Sequence, residues 1–144
     1  HDLCVETVGH AELICVMPES CALARREAIR FADLRDQTLI SYRADTLPAQ
    51  LLTAAAEADG VGYAPAIEID LSITALPFVR DGLGVAVVDG LLPWATFPGL
   101  ITRPFLPRTR VPIAILTSKE RPLSGNHALM RDHLRLACEA YREA

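Results

Sequence analysis

Three apolar runs in this sequence each end in polar side chains that could bind or react. Thr38-Leu39-Ile40-Ser41 leads into Tyr42, Arg43, Asp45 and Thr46. Ala66-Ile67-Glu68-Ile69 leads into Asp70, Ser72 and Thr74. Val85-Ala86-Val87-Val88 leads into Asp89. In an open α/β sheet, ligands sit beyond the carboxyl ends of the strands, which is where these residues fall if the runs are strands. Arg43 is suited to a forked pair with a carboxylate. The backbone N–H groups around Ser72–Thr74 are suited to an anion. Ser41, Tyr42, Arg43, Thr46, Asp70, Ser72, Thr74 and Asp89 together make a candidate pocket for a small polar molecule. Each of them singly also has a plainer duty in a cap or turn.

Catalytic arrangements find little support. Ser41, Ser72, Ser118 and Ser124 all lie outside a G-x-S-x-G elbow. Gly82-Leu83-Gly84 follows a helix-like stretch and precedes a strand, the reverse of a dinucleotide loop, so it reads as a helix end and a tight turn. His127 and His133 are six apart, which does not place them on one helical face as paired metal ligands, and both read as surface residues. His10 and Cys4 lie in what reads as an irregular N-terminal piece, and nothing supplies a third group. Glu68 and Asp70 alternate along one strand, but paired-carboxylate catalysis needs two different environments. No catalytic residue, metal or cofactor is therefore expected, and the chain is not read as an enzyme.

The elements that must position the strand ends follow from hydrophobic spacing and punctuation. Residues 12–17 read as a buried strand closed by Pro18, and residues 22–37 as an Arg-rich amphipathic stretch with Phe31–Leu34 as a single helical turn. Thr46 is an N-cap candidate with Pro48 in the first turn, for a helix through Ala58 that stops at Gly60. Ser72 is the cap candidate for a short helix, Ile73 to Arg80, ended by Gly82. One helical turn at Leu91–Ala95 and strands at Leu100–Phe105 and 111–116 come next. Ser124 opens the last helix, with Leu129, Leu134, Leu136 and Tyr141 as its apolar stripe. Arg131, Asp132, Arg135 and Glu139 form its wet face. Strands alternating with helices imply an α/β fold with a largely parallel sheet.

Composition agrees with a folded domain. The chain has 144 residues, 51% of them hydrophobic and 22% charged, which excludes disorder. Residues 1–99 hold fourteen acids against six bases, and residues 100–144 four acids against eight bases. The net charge of −4 argues against autonomous nucleic-acid binding. No run approaches the roughly 18–20 apolar residues of a membrane helix. Cys4, Cys15, Cys21 and Cys138 fit no zinc spacing. Cys15 and Cys138 sit in apolar surroundings and read as small buried hydrophobes, which favours free thiols in a reducing cytoplasm.

These segments, in this order, resemble the effector-binding domain of LysR-type transcriptional regulators. Glu12 to Ala24 (ELICVMPESCALA) is similar to the family's crossover strand and its "HPLA"-like tail, with Cys21 where Pro is usual. Phe31–Leu34 followed by Thr38–Ser41 resembles its "DL…pli" segment. Phe78 to Asp89 (FVRDGLGVAVVD) is similar to its "lVaaGlGvalvp" signature, with Asp89 where Pro is commoner. Ile101–Phe105, the strand at 111–116 and Arg121-Pro122-Leu123-Ser124 complete the series. Ser41, Ser72 and the RPLS segment lean toward the amino-acid and opine-responsive branch.

The resemblance implies a type 2 periplasmic-binding-protein-like fold of two Rossmann-like lobes with a small-metabolite effector between them. Residues 18–106 would form the complete second lobe. Residues 1–17 and 107–144 would form part of the first. The family's winged helix-turn-helix has no counterpart here, so DNA would be bound only through a part of the parent protein beyond this chain. That the chain opens on His1 agrees with a fragment. The implied ligand is an anionic or zwitterionic metabolite, amino-acid-like in the nearest branch. The implied assembly is a homo-oligomer in the cytoplasm, with no membrane contact. A stand-alone periplasmic-type solute-binding module is the alternative, and a small α/β enzyme ranks below it.

Overall fold

The computed structural model describes residues 2–120 and 124–143, with side chains to Tyr141. The apolar run at 12–17 belongs to a longer strand, β1, which spans Leu3–Pro18. Cys4 and His10, expected in an irregular piece, are thus strand residues. The chain forms two compact units, Glu12–Val111 and a smaller one of His1–Ala11 with Pro112–Ala144. The family resemblance implied lobe divisions at 17/18 and 106/107.

In the larger unit the elements are β2 (Ile29–Arg30), β3 (Leu39–Tyr42), α1 (Leu47–Ala58), β4 (Ile67–Ile69), α2 (Ala75–Arg80), β5 (Val85–Asp89) and β6 (Leu100–Leu106). Its strands run in the order β2-β6-β1-β5-β3-β4. β3 is parallel to β4 and β5, because α1 and α2 act as crossovers between them. β1 runs antiparallel to both β5 and β6. The expectation of a largely parallel sheet is therefore corrected at its centre: no crossover helix joins β1 to either neighbour.

Residues 22–37 contain the expected helical turn at Phe31–Leu34. They form two 3-10 turns, Ala22–Arg25 and Phe31–Leu34, with β2 between them. The buried residues there are Leu23, Ala24, Ile29, Phe31 and Leu34, a spacing that keeps no 3.6 period. Asp33 pins the second turn by accepting from the Arg30 N–H at 2.9 Å and pairing with Arg26 at 3.1 Å.

The expected helix at 47–58 is present. Thr46 caps α1, accepting from the Ala49 N–H at 3.4 Å. Ala49, Leu52 and Ala56 are its buried face, and Gly60 leaves it at φ +68°. Ser72 is not the cap of α2, since a 3-10 turn, Ser72–Thr74, precedes that helix. Gly84 is fixed by close approach: a Cβ there would lie 2.1 Å from the Thr38 carbonyl oxygen. That oxygen accepts from the Val85 N–H at 3.0 Å, which holds the start of β5 against β3. Trp94, Phe105, Met17, Ile40 and Leu52 lie fully inside the core. Phe31 stands edge-on to Phe105 with ring centroids 4.9 Å apart.

The smaller unit contains the start of β1, most of β7 (Arg110–Ser118), which pairs with β1, and α3 (Gly125–Glu143). A Cβ at Gly9 would lie 3.4 Å from Cβ of Cys138, so strand and helix approach closely there. Arg135 Nε reaches Glu6 Oε1 at 2.5 Å. This reverses the expected faces of α3. Arg131, Arg135 and Cys138 are half-buried, whereas Leu129, Leu134, Leu136 and Tyr141 are 39–61% exposed. Of the RPLS segment, Arg121, Pro122 and Leu123 lie outside the described residues. Ser124 Oγ meets His127 Nδ1 at 2.9 Å.

Candidate functional site at the strand ends of the larger unit

The pairing of Ile40 with Ala86 brings the end of β3 close to the end of β5. Tyr42 and Asp89 meet there. The Tyr42 hydroxyl donates to Asp89 Oδ2 at 2.5 Å and accepts from the Asp89 N–H at 2.9 Å. Ser72 Oγ donates to the same carboxylate oxygen and lies 2.9 Å from the Tyr42 hydroxyl. Asp89 Oδ1 accepts from the Leu91 N–H at 3.1 Å, and the Asp89 carbonyl accepts from Trp94 Nε1 at 2.9 Å. Burial, then the bond to Asp89, raises the Tyr42 phenol well above the ordinary tyrosine range. Tyr42 is thus a fixed neutral donor, and Asp89 the hub that orders two hydroxyls.

Arg43 stands at the exposed side of this cluster. Its Nη2 and Nε grip Asp45 at 2.5 and 3.1 Å, and its Nη1 reaches Asp70 at 3.3 Å. The hydrogen bonds between them hold Asp45 below the usual carboxylate range and Arg43 above its own. Thr46 Oγ1 donates to the Arg43 carbonyl at 2.8 Å, fixing the turn that presents the guanidinium. A ligand carboxylate reaching Arg43 would share the fork with Asp45 or displace it.

The other expected residues are placed differently. Ser41 is fully buried and its hydroxyl donates to the Val87 carbonyl at 2.7 Å, so it ties two strands together. Thr74 is exposed, and both its hydroxyl and its N–H go to the Leu71 carbonyl, at 2.6 and 3.0 Å. The Ala75 N–H is spent on Ser72 O. The N–H groups of Thr74 and Ala75 therefore serve the turn, and the anion cradle expected at Ser72–Thr74 is not formed by them. Tyr42, Arg43, Thr46, Asp70, Ser72 and Asp89 do gather at one end of the sheet.

Two contributors escaped the sequence pattern. Trp94 holds the Asp89 carbonyl from a 3-10 turn, Trp94–Thr96. Tyr63 sits in the segment between α1 and β4 and lines a cleft of about 230 Å³ beside Tyr42. Burial pushes its phenol up to about 12. The available signals were modest: the chain's single Trp shortly after Asp89, and an isolated aromatic between Gly62 and Pro65. Among the described residues, no group of three or more His, Cys, Asp or Glu is placed to hold a metal ion.

Comparison with known families decides what this architecture is. The model of the LysR substrate binding domain matches residues 1–139. The chain belongs to that family. HinK, a LysR-family transcriptional regulator from Pseudomonas aeruginosa, superposes with a TM-score of 0.79 at 15% identity, covering 95% of this chain and 49% of that one. The effector binding domain of QuiR in complex with shikimate gives 0.78 at 14% identity, covering 96% and 66%. The CcmR regulatory domain of Synechocystis in complex with 2-PG gives 0.75 at 14% identity, covering 95% and 67%. The chain thus spans about half of HinK and about two thirds of the other two structures. The shared fold is the α/β, type 2 periplasmic-binding-protein-like architecture of the LysR effector-binding domain, with one lobe complete and the other present in part.

Proposed function

We propose that this LysR effector-binding domain senses a small anionic or zwitterionic metabolite, gripped in the larger unit at Arg43, Ser72 and Asp89. The carrying observation is the exposed Arg43 guanidinium, held in a fork by Asp45 and Asp70 beside the ordered Tyr42–Ser72–Asp89 hydroxyl cluster. Arg43 supplies the partner for a carboxylate, and Asp70 and Asp89 supply acceptors for ammonium or hydroxyl groups. Structural relatives bound to shikimate and to 2-PG support a small-molecule ligand. In the complete domain, such a ligand acts by favouring one arrangement of the two lobes over another. A homo-oligomer of the parent protein follows that shift in the cytoplasm. DNA contact belongs to a part of the parent protein outside this chain.

The test is calorimetric titration of the purified chain with a panel of free amino acids, shikimate and benzoate. At least one of these is expected to bind saturably, and Arg43→Ala to weaken that binding about tenfold or more, as loss of a charged hydrogen bond does. Binding that is indifferent to Arg43→Ala removes Arg43 from the site. No binding across the panel overturns the proposed ligand class.

A further inference from the structure

The Arg43 guanidinium already holds a carboxylate in the way it would hold a ligand's. Its Nη2 and Nε take the two oxygens of Asp45, at 2.5 and 3.1 Å, and its Nη1 reaches Asp70 Oδ1 at 3.3 Å. The grip on Asp45 is the forked, bidentate geometry by which arginine recognises carboxylates. Both side chains are largely open to solvent. An exposed pair of this kind adds little stability by itself, so a competitor of the same chemistry can take its place.

The charge around the fork decides which competitors succeed. In the strand-end segments 42–46, 68–74 and 89–94, Arg43 is the single base against Asp45, Glu68, Asp70 and Asp89. Asp45 and Asp70 touch it, the charge of Glu68 reaches it, and Asp89 stands beyond Ser72. A plain carboxylate that displaced Asp45 would exchange one ionic contact for an identical one and bring a fifth negative charge into the group. A ligand with an ammonium beside its carboxylate alters that balance. Its carboxylate takes the fork, and the freed Asp45, together with the second oxygen of Asp70, takes the ammonium. One internal ion pair is replaced by two. Leu71 and Ile73, on either side of Ser72, and Leu91, whose N–H is bonded to Asp89, are exposed. Apolar surface beside a polar cluster suits a hydrocarbon tail on the same ligand.

We propose that Asp45 is an internal stand-in for the ligand carboxylate and sets the specificity of the site: it yields the Arg43 fork to a zwitterion with adjacent carboxylate and ammonium groups, and keeps plain carboxylates out. This rests on the Arg43 site proposed above and narrows its ligand class from anions and zwitterions to zwitterions alone.

The test is an amide-shift titration of the whole, isotopically labelled 144-residue chain with three ligands of matched hydrocarbon. These are L-norleucine, hexanoate, which lacks its ammonium, and n-pentylammonium, which lacks its carboxylate. Norleucine is expected to bind saturably, and each of the others at least about tenfold more weakly, as loss of a charged hydrogen bond does. Asp45→Asn is expected to tighten hexanoate relative to norleucine about threefold, the effect of removing an exposed competing charge. Asp70→Asn is expected to weaken norleucine about threefold and to spare hexanoate. Asp45 and Asp70 are exposed, so both variants should keep the parent melting temperature, and that measurement verifies folding. Hexanoate binding as tightly as norleucine, or a ratio of the two unmoved by Asp45→Asn, would overturn the role of Asp45. If such binding is still lost in Arg43→Ala, the Arg43 site itself stands. Norleucine binding indifferent to Arg43→Ala would overturn the site and the role of Asp45 with it, as would no binding by any of the three ligands.

Discussion

Leu52 on α1 and Leu134 on α3 are both leucines on helices of mixed composition. Leu52 is fully buried and Leu134 is 45% exposed. In the larger unit, α1 turns Ala49, Leu52 and Ala56 inward as part of one apolar core with the strands. In the smaller unit, α3 meets its strand through Cys138 and Arg135, and its leucines face outward. Hydrophobic spacing identifies the apolar face of a helix. It does not establish that another layer lies against that face.

The comparison can be broken most directly by truncating one apolar side chain in each unit. Trp94→Ala removes a fully buried indole and its hydrogen bond to Asp89. It should cost about 3–5 kcal/mol in urea unfolding. Leu134→Ala should stay within about 0.5 kcal/mol, because the side chain is largely wet already. Equal losses would mean that α3 packs its leucines in solution.

Gly84→Ala sharpens the same contrast at the backbone. The new methyl would collide with the Thr38 carbonyl, so β3 and β5 must part locally. A loss of about 1–3 kcal/mol is expected, as for overpacking. Gly60→Ala, by contrast, meets no neighbouring atom and strains only its positive φ. A melt in which both variants behave alike would show that the contact with Thr38 is not decisive.

pH separates the units more gently. Tyr63 ionises near 12 in the folded chain, against about 10 for an ordinary tyrosine. Burial favours its neutral form, so its stabilising contribution is intact below about pH 10 and fades as pH rises toward 12. The slope is at most about 1.4 kcal/mol per pH unit. Buried Tyr42 and Cys15 shift the same way. Tyr63→Phe should flatten the alkaline limb of a denaturation profile, and an unchanged limb would count against its burial. In the smaller unit, Arg135 holds Glu6 below the usual carboxylate range. That contribution is present above about pH 4.3, the ordinary glutamate value, and is lost as pH falls through the depressed one. A lower protection factor for the α3 amides on acidification, after correction for the intrinsic exchange rate and removed by Glu6→Gln, is the expected sign.

The positions of the polar strand ends were largely legible beforehand. Apolar runs followed by Arg43, Asp70, Ser72 and Asp89 marked where strands stop, and the order of motifs marked the family. Ser41 was misjudged as a pocket group because alternation along β3 does not show that Val87 would take its hydroxyl. Tyr63 and Trp94 were missed because each acts across a fold contact from a segment with no periodic signal of its own. In the stretch at 22–37 the turn at Phe31–Leu34 was legible, but the packing of Phe31 against Phe105 and Tyr63 was not.

The sequence by itself determined the class of fold, the family, and which polar residues stand at strand ends. Local spacing, caps and glycines encode those directly, as Thr46, Gly60 and Gly84 illustrate. Only the tertiary structure decided the partners: Tyr42 and Ser72 on Asp89, Arg43 between two aspartates, and Arg135 of α3 on Glu6. Hydrogen-bond partners and burial depend on residues distant in the chain, and no local pattern carries that information.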